Sequence, residues 1–287
     1  MSEILAALIE QGIKYKIPKD LPVAVAKDKP LRYAISSFLI LKAYYLNQGH
    51  VSKSEIKQAA SYCRKSTKQL NRYLTLLCDR GYITEANDNY YLANWDKVYR
   101  LLDINERGFY YVRETGRDME KLLKYFAMRE PTETQRKAFY YQVKYTPTLE
   151  MKLSEVTGGK VSATAVLQTQ LNCFITEGAN YTADQIETLS LVRADFMCCT
   201  HYYNDLFNYR GLGSMAYVKR TLRDQGLIVY DHRIYPLEGH TTRNSRKTML
   251  GDVLPPKRGH TSKPVLVMPD LINFLSPSSP FITMDKI

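Results

Sequence analysis

Long apolar runs are missing from this chain, and so are most of the short motifs that announce catalysis. No apolar segment approaches the roughly 20 residues a helical membrane span requires, and Met1 to Glu10 has neither the basic start nor the cleavage site of a signal peptide. A cytoplasmic protein with no membrane partner is expected, nucleoid-associated if bacterial. Cysteine is scarce: Cys63, Cys78, Cys173, Cys198 and Cys199 show no C-x-x-C spacing, and an odd number argues against a full disulfide framework. Cys198, Cys199 and His201 sit close together, but on a helix they diverge and no second ligand pair follows, which argues against zinc. His50, His201, His232, His240 and His260 form no H-x-H or H-x-x-x-H pair, and there is neither a Gly-rich phosphate loop with Lys nor a G-x-S-x-G. No acidic cluster suggests two-metal chemistry. The expectation is a protein that is not an enzyme and needs no cofactor and no metal.

What the chain does have is positive charge. Its 287 residues suffice for two domains with their own cores, and 40 Lys and Arg stand against 29 Asp and Glu. Residues 1–100 hold 16 basic and 9 acidic residues, a larger excess than either later part of the chain. Such an excess favours a polyanionic partner, because each neutralised phosphate releases counterions. The alternative is that lysines and arginines keep a Tyr-rich protein soluble.

The most informative stretch is Ser66 to Leu92. Ser66 with Gln69 three residues on reads as a capping box. Leu70, Tyr73, Leu74 and Leu77 make one apolar helical face, and Gly81 suits the left-handed residue that closes a helix. The opposite face is left with Lys65, Lys68, Arg72 and Thr75, flanked by Gln69 and Asn71, side chains that bond phosphates and base edges. Two strand-like runs, Tyr82 to Thr84 and Tyr90 to Leu92, flank a turn-forming Asn87-Asp88-Asn89. Upstream, Ser52 and Glu55 form a second capping box that opens a short helix, and Leu31 to Gln48 reads as a longer apolar helix closed by Gly49.

This order of helix, helix, capped polar-faced helix and hairpin resembles a winged helix-turn-helix domain. The resemblance covers about residues 31 to 93. It implies double-stranded DNA binding, with the helix from Thr67 to Arg80 in the major groove and the hairpin as a wing. Glu85 and Asp88 make that wing acidic, unlike the basic wings common in such domains.

A second copy of the pattern follows at an offset of 145 residues. Leu77-Cys-Asp-Arg-Gly-Tyr-Ile returns as Leu222-Arg-Asp-Gln-Gly-Leu-Ile, with Tyr90 on Tyr235 and Leu92 on Leu237. Ser214 is expected to cap a helix closed by Gly226, with two strands around Asp231-His232. A helix near Ala165 to Ile175 and a long one from Thr182 to about Asn204 would lead into it. This too resembles a winged module, and its reading residues would be Tyr217, Arg220 and Arg223 on the helix with His232 and Arg233 on the wing.

The remaining segments are expected to serve these two heads. Residues 1–30 read as an amphipathic helix (Met1 to Gln11) and a basic, Pro-containing extended arm, either a linker or a minor-groove element. Residues 31–103 form the first module, with a helix around Trp95 packed on it. Residues 104–160 read as a connector with a strand at Gly108 to Val112, one helix from Asp118 to Arg129 and another capped by Thr132 and Gln135. Its tyrosine pairs read as core, the alternative being a stacking platform for nucleic acid. Residues 161–238 form the second module. Residues 239–287 read as a basic, partly flexible tail in which Arg243, Arg246 and Lys247 could track phosphates. The fold class expected is mainly α (α+β), two winged helix-turn-helix modules joined by a helical connector. Tandem winged helices resemble transcriptional regulators and the replication initiators of plasmids, phages and mobile elements, and the resemblance to the initiators implies a possible homodimer formed through one module. A structural adaptor that uses winged folds for protein contacts is the reading without DNA.

Overall fold

The computed structural model describes residues 13–104, 108–113, 118–192, 200–210, 212–231, 233–238, 245–248, 250, 252–256, 263–268 and 271–277. The helix expected over Met1 to Gln11 lies outside them. Helices predominate and every sheet is small and antiparallel, an α+β architecture.

The expected basic arm is instead built into a core. In β1 (Lys14–Pro18), Tyr15 and Ile17 are buried while Lys14 is exposed, so a period-two strand lay hidden among the lysines. It pairs with β5 (Phe109–Arg113), Lys14 opposite Arg113 and Pro18 opposite Phe109. The prolines of this segment stand where proline is tolerated. Pro18 ends the strand, while Pro22 and Pro30 lie in the first turns of α1 (Leu21–Ala24) and α2 (Lys29–Tyr44). Asp28 caps α2 by accepting the Leu31 N–H at 3.0 Å. Ala34, Ile35, Phe38 and Leu41 are fully buried along α2, which ends earlier than the sequence suggested.

After Gly49, held at a φ of +68°, comes β2 (His50–Ser52), a strand absent from the sequence reading. The Ser52–Glu55 capping box forms in full and opens a 3-10 turn that runs into α3 (Ile56–Tyr62). α4 (Thr67–Asp79) begins where Ser66 accepts the Gln69 N–H. The reciprocal half of that cap is not made, because Nε2 of Gln69 donates to the Tyr73 hydroxyl. β3 (Ile83–Ala86) and β4 (Asn89–Leu92) form a hairpin whose two turn residues, Asn87 and Asp88, both have positive φ. β2 adds to its free edge in the order β2-β4-β3. α5 (Trp95–Leu101) is capped by Asn94, and Phe38 meets the rings of Tyr82 and Trp95 edge-on.

α6 (Met119–Lys144) corrects a boundary: it is one helix of 26 residues with Pro131 inside, not two. Thr132 is buried in the interior of this helix, not at its start. The chain divides into two units, and the division falls at Glu130, beside that proline. The first unit comprises the described residues up to Arg129, together with His201–Val229 and those from Phe274 on; the second comprises Glu130–Thr200 and Tyr230–Asn273.

In the second unit, α7 (Pro147–Val156), α8 (Ala163–Ile175) and α9 (Ala183–Ser190) gather Leu153, Val166, Leu171 and Leu189 into a core shared with Leu237, Val253 and Leu266. The long helix expected from Thr182 stops at Ser190. α10 (Thr200–Phe207) and α11 (Leu212–Asp224) belong to the first unit, and Ser214 lies within α11 rather than capping it.

The second wing does not form. β6 (Ile228–Asp231) pairs with β11 (Leu271–Phe274), whereas β7 (Ile234–Pro236) lies at the edge of a sheet ordered β7-β10-β9-β8. The strands of that sheet, β8 (Arg246–Lys247), β9 (Asp252–Leu254) and β10 (Val265–Val267), come from the segment expected to be a flexible tail. The 145-residue repeat is real only as far as the helix closure. Gly81 and Gly226 have φ of +77° and +61°, and the next N–H returns to Leu77 and Leu222 at 2.9 Å in both copies. A glycine closing a helix before a strand is a local signal, and which strand pairs with which is not.

Candidate nucleic-acid interface

α4 is amphipathic in the sense the sequence implied. Leu70, Leu74 and Leu77 are at most 1% exposed, which fixes the opposite face toward solvent. On that face Lys68, Gln69, Asn71, Arg72 and Thr75 are all exposed, and Lys65, just ahead of the cap, is half-buried. Thr75 spends its hydroxyl proton on the Asn71 carbonyl at 3.1 Å, whereas Lys68 and Arg72 make no ion pair among the described residues. Tyr73 lies at the edge of the buried face, stacked parallel to Tyr33 of α2 with centroids 6.5 Å apart. That stack joins α4 to α2 at the border of the polar face, where Gln69 donates to the Tyr73 hydroxyl.

The acidic hairpin is partly neutralised from outside its own strands. Nζ of Lys53, in the 3-10 turn after β2, lies 2.7 Å from Glu85 and 3.5 Å from Asp88. His50 and Tyr91 stand side by side across the β2–β4 pair, 5.4 Å apart. Sequence reading missed β2 and the role of Lys53. The available signal was His50-Val51-Ser52 between a helix-closing glycine and a cap, a strand of three residues.

The other expected reading residues do not assemble into a second wing. Tyr217, Arg220 and Arg223 are exposed on α11, with the Arg220 guanidinium 5.7 Å from the Tyr217 ring and Arg223 paired to its neighbour Asp224. α11 belongs to the same unit as α4, not to a separate head. Arg233 is half-buried just ahead of β7, and its carbonyl accepts the Met268 N–H at 3.0 Å, which ties it to the chain after β10. His232 and Arg243 lie outside the described residues. Arg246 and Lys247 form β8, with side chains outside the description.

Charge follows the same division. The segments of the first unit carry 27 basic and 17 acidic residues, and those of the second 13 and 12. Nearly the whole excess therefore travels with α4 and α11. Among the described residues no three His, Cys, Asp or Glu side chains gather into a metal site. Cys63 is inert as a nucleophile at neutral pH, because burial pushes its thiol up to about 12. Among the described residues no helix is long and apolar enough to cross a membrane. No protein-family description, no curated protein and no solved structure matches the chain.

Proposed function

We propose that this protein is a sequence-specific double-stranded DNA-binding protein whose reader is a winged helix in the first unit, with α4 as the major-groove helix. The observation that carries this reading is the α4 face: Lys68, Gln69, Asn71 and Arg72 are exposed side by side on a helix whose other face is fully buried, in the unit that holds the positive excess. Guanidinium and amide groups read base edges in pairs, and lysine holds phosphates. The sheet order β2-β4-β3 beside α4 supports the winged reading, with Lys53 lowering the repulsion that Glu85 and Asp88 would offer a phosphate.

The use we favour is transcriptional regulation, and replication initiation on a mobile element is the alternative. Selecting bound fragments from host DNA separates the two, since a regulator recovers promoter sites and an initiator recovers a repeat array. A third reading, a protein-binding adaptor, draws support from Tyr140, Tyr141 and Tyr145, which are 57%, 50% and 70% exposed near the end of α6 in the nearly neutral second unit. Tyrosine is enriched at protein interfaces.

Duplex binding is tested by fluorescence anisotropy on the selected site. Affinity is expected to fall steeply with salt, and Arg72→Ala to cost roughly 1–3 kcal/mol at the specific site with an unchanged melting temperature. Equal affinity of wild type and Arg72→Ala would remove α4 as the reader.

A further inference from the structure

A groove of about 710 Å³ opens within the first unit, between the start of α2 and the segment joining α10 to α11. Its charge is one-sided. Lys27, Lys29 and Arg210 line it and are exposed, and no carboxylate of the described residues pairs with them. The one acidic residue in the lining, Asp28, is already committed: Oδ1 caps α2, and Oδ2 lies 3.5 Å from Arg80. Ser214, in the first turn of the 13-residue α11, also lines the groove, so the positive end of that helix adds to the same field.

Two further observations go beyond a basic surface. Phe207 and Tyr209 line the groove as a stacked pair, 5.6 Å between centroids and 26° between planes, and Tyr209 is half-exposed. Beside Phe207, and outside the lining, lies Arg32, only 1% exposed. Its Nε donates to Glu120 and one terminal nitrogen to the Ala26 carbonyl, but Nη2 is buried without a partner. The guanidinium, ion-paired with Glu120, sits 5.4 Å from the Phe207 ring, so one open donor of a buried, paired cation lies against a ring that lines the groove.

We propose that this groove is a nucleotide-binding site, with phosphates against Lys27, Lys29 and Arg210 and the base against Tyr209. A bare anion would use the charge but leave the half-exposed Tyr209 ring and most of the volume unused. The carboxylates of an acidic peptide supply the charge without a ring joined to it, whereas a nucleotide carries both in one molecule. The groove uses none of the outward residues of α4, so the inference does not rest on duplex reading: Arg72→Ala leaves nucleotide binding unchanged.

Calorimetric titration of the full chain with ATP, tripolyphosphate and adenosine tests it. ATP is expected to saturate at one per chain. Lys29→Ala and Arg210→Ala each weaken it roughly tenfold, the loss of one charge-assisted contact. Tyr209→Ala weakens ATP but leaves tripolyphosphate unchanged. Lys27→Gln serves as a second variant should either basic replacement lower the melting temperature. Tripolyphosphate binding as tightly as ATP, with Tyr209→Ala silent, overturns the nucleotide assignment; ATP failing to saturate overturns the site altogether. A single-stranded thymidine decamer distinguishes the sources: displacement of ATP assigns the groove to a nucleotide within a strand, and persistence of ATP assigns it to a free nucleotide.

Discussion

Lys42 shows how one side chain can carry opposing terms. Its ammonium donates to the Ala93 carbonyl at 2.7 Å and stands 4.6 Å from the Trp95 ring, arrangements that favour the charged form. Burial disfavours that form more, and the nearby Lys16 charge acts in the same direction, so the group is pulled down to about 8. Between about pH 8 and 10.5 the unfolded chain keeps a proton that the folded chain has released, so Lys42 makes the fold more stable as pH rises through that window. Cys63 and Tyr45, both pushed up to about 12 by burial, act in the opposite sense at higher pH. They cancel when wild type is compared with Lys42→Met. Urea unfolding from pH 7 to 10 should therefore show wild type gaining on the variant above pH 8. A constant difference across that range would mean that the ammonium stays protonated throughout.

Among the elements, α4 is held by a cap whose two halves have come apart. Ser66→Ala should cost about 1 kcal/mol in urea melts, because the Gln69 N–H loses its acceptor. Gln69→Ala should cost only a few tenths of a kcal/mol, since its amide makes an exposed bond to Tyr73 rather than reaching back. If the two cost the same, the reciprocal cap forms in solution. The contrast also marks what sequence could reveal. Caps, closing glycines and the buried stripe of α4 are local, set by side chains three or four residues apart, and these were legible. Pairing partners were not. Ile228 to Tyr230 and Arg233 to Leu237 look like a hairpin from inside, but Leu271–Phe274 and Val265–Val267 compete for their edges from some 30 to 40 residues away. Prolines misled for the same reason: Pro22 and Pro30 open helices, and only the buried partners of Ile17 and Leu21 show that the segment is core. Of the groove residues, Arg210 stands about 180 residues from Lys27 and Lys29 in sequence, and no spacing rule connects them.

At the scale of the whole molecule, neither unit is a continuous stretch of chain. The first is interrupted after Arg129 and again after Val229. A fragment ending at Arg129 lacks Phe207, which lies beside Arg32, and Leu275, whose carbonyl accepts the Tyr125 hydroxyl at 2.7 Å. It should melt less cooperatively than the full chain and bind duplex more weakly, and adding residues 130–287 in trans should restore part of both. Calorimetry of the two fragments, separate and mixed, checks this; a fragment that melts like the first unit of the intact chain would show that α10 and α11 are dispensable to it. The same interruption sets a timetable for synthesis. The α4 reader leaves the ribosome early, yet α11 of the same unit follows only about 150 residues later. At roughly 5–20 residues per second that is a wait on the order of ten seconds, during which a strongly basic, half-built surface is exposed to the nucleic acids around the ribosome.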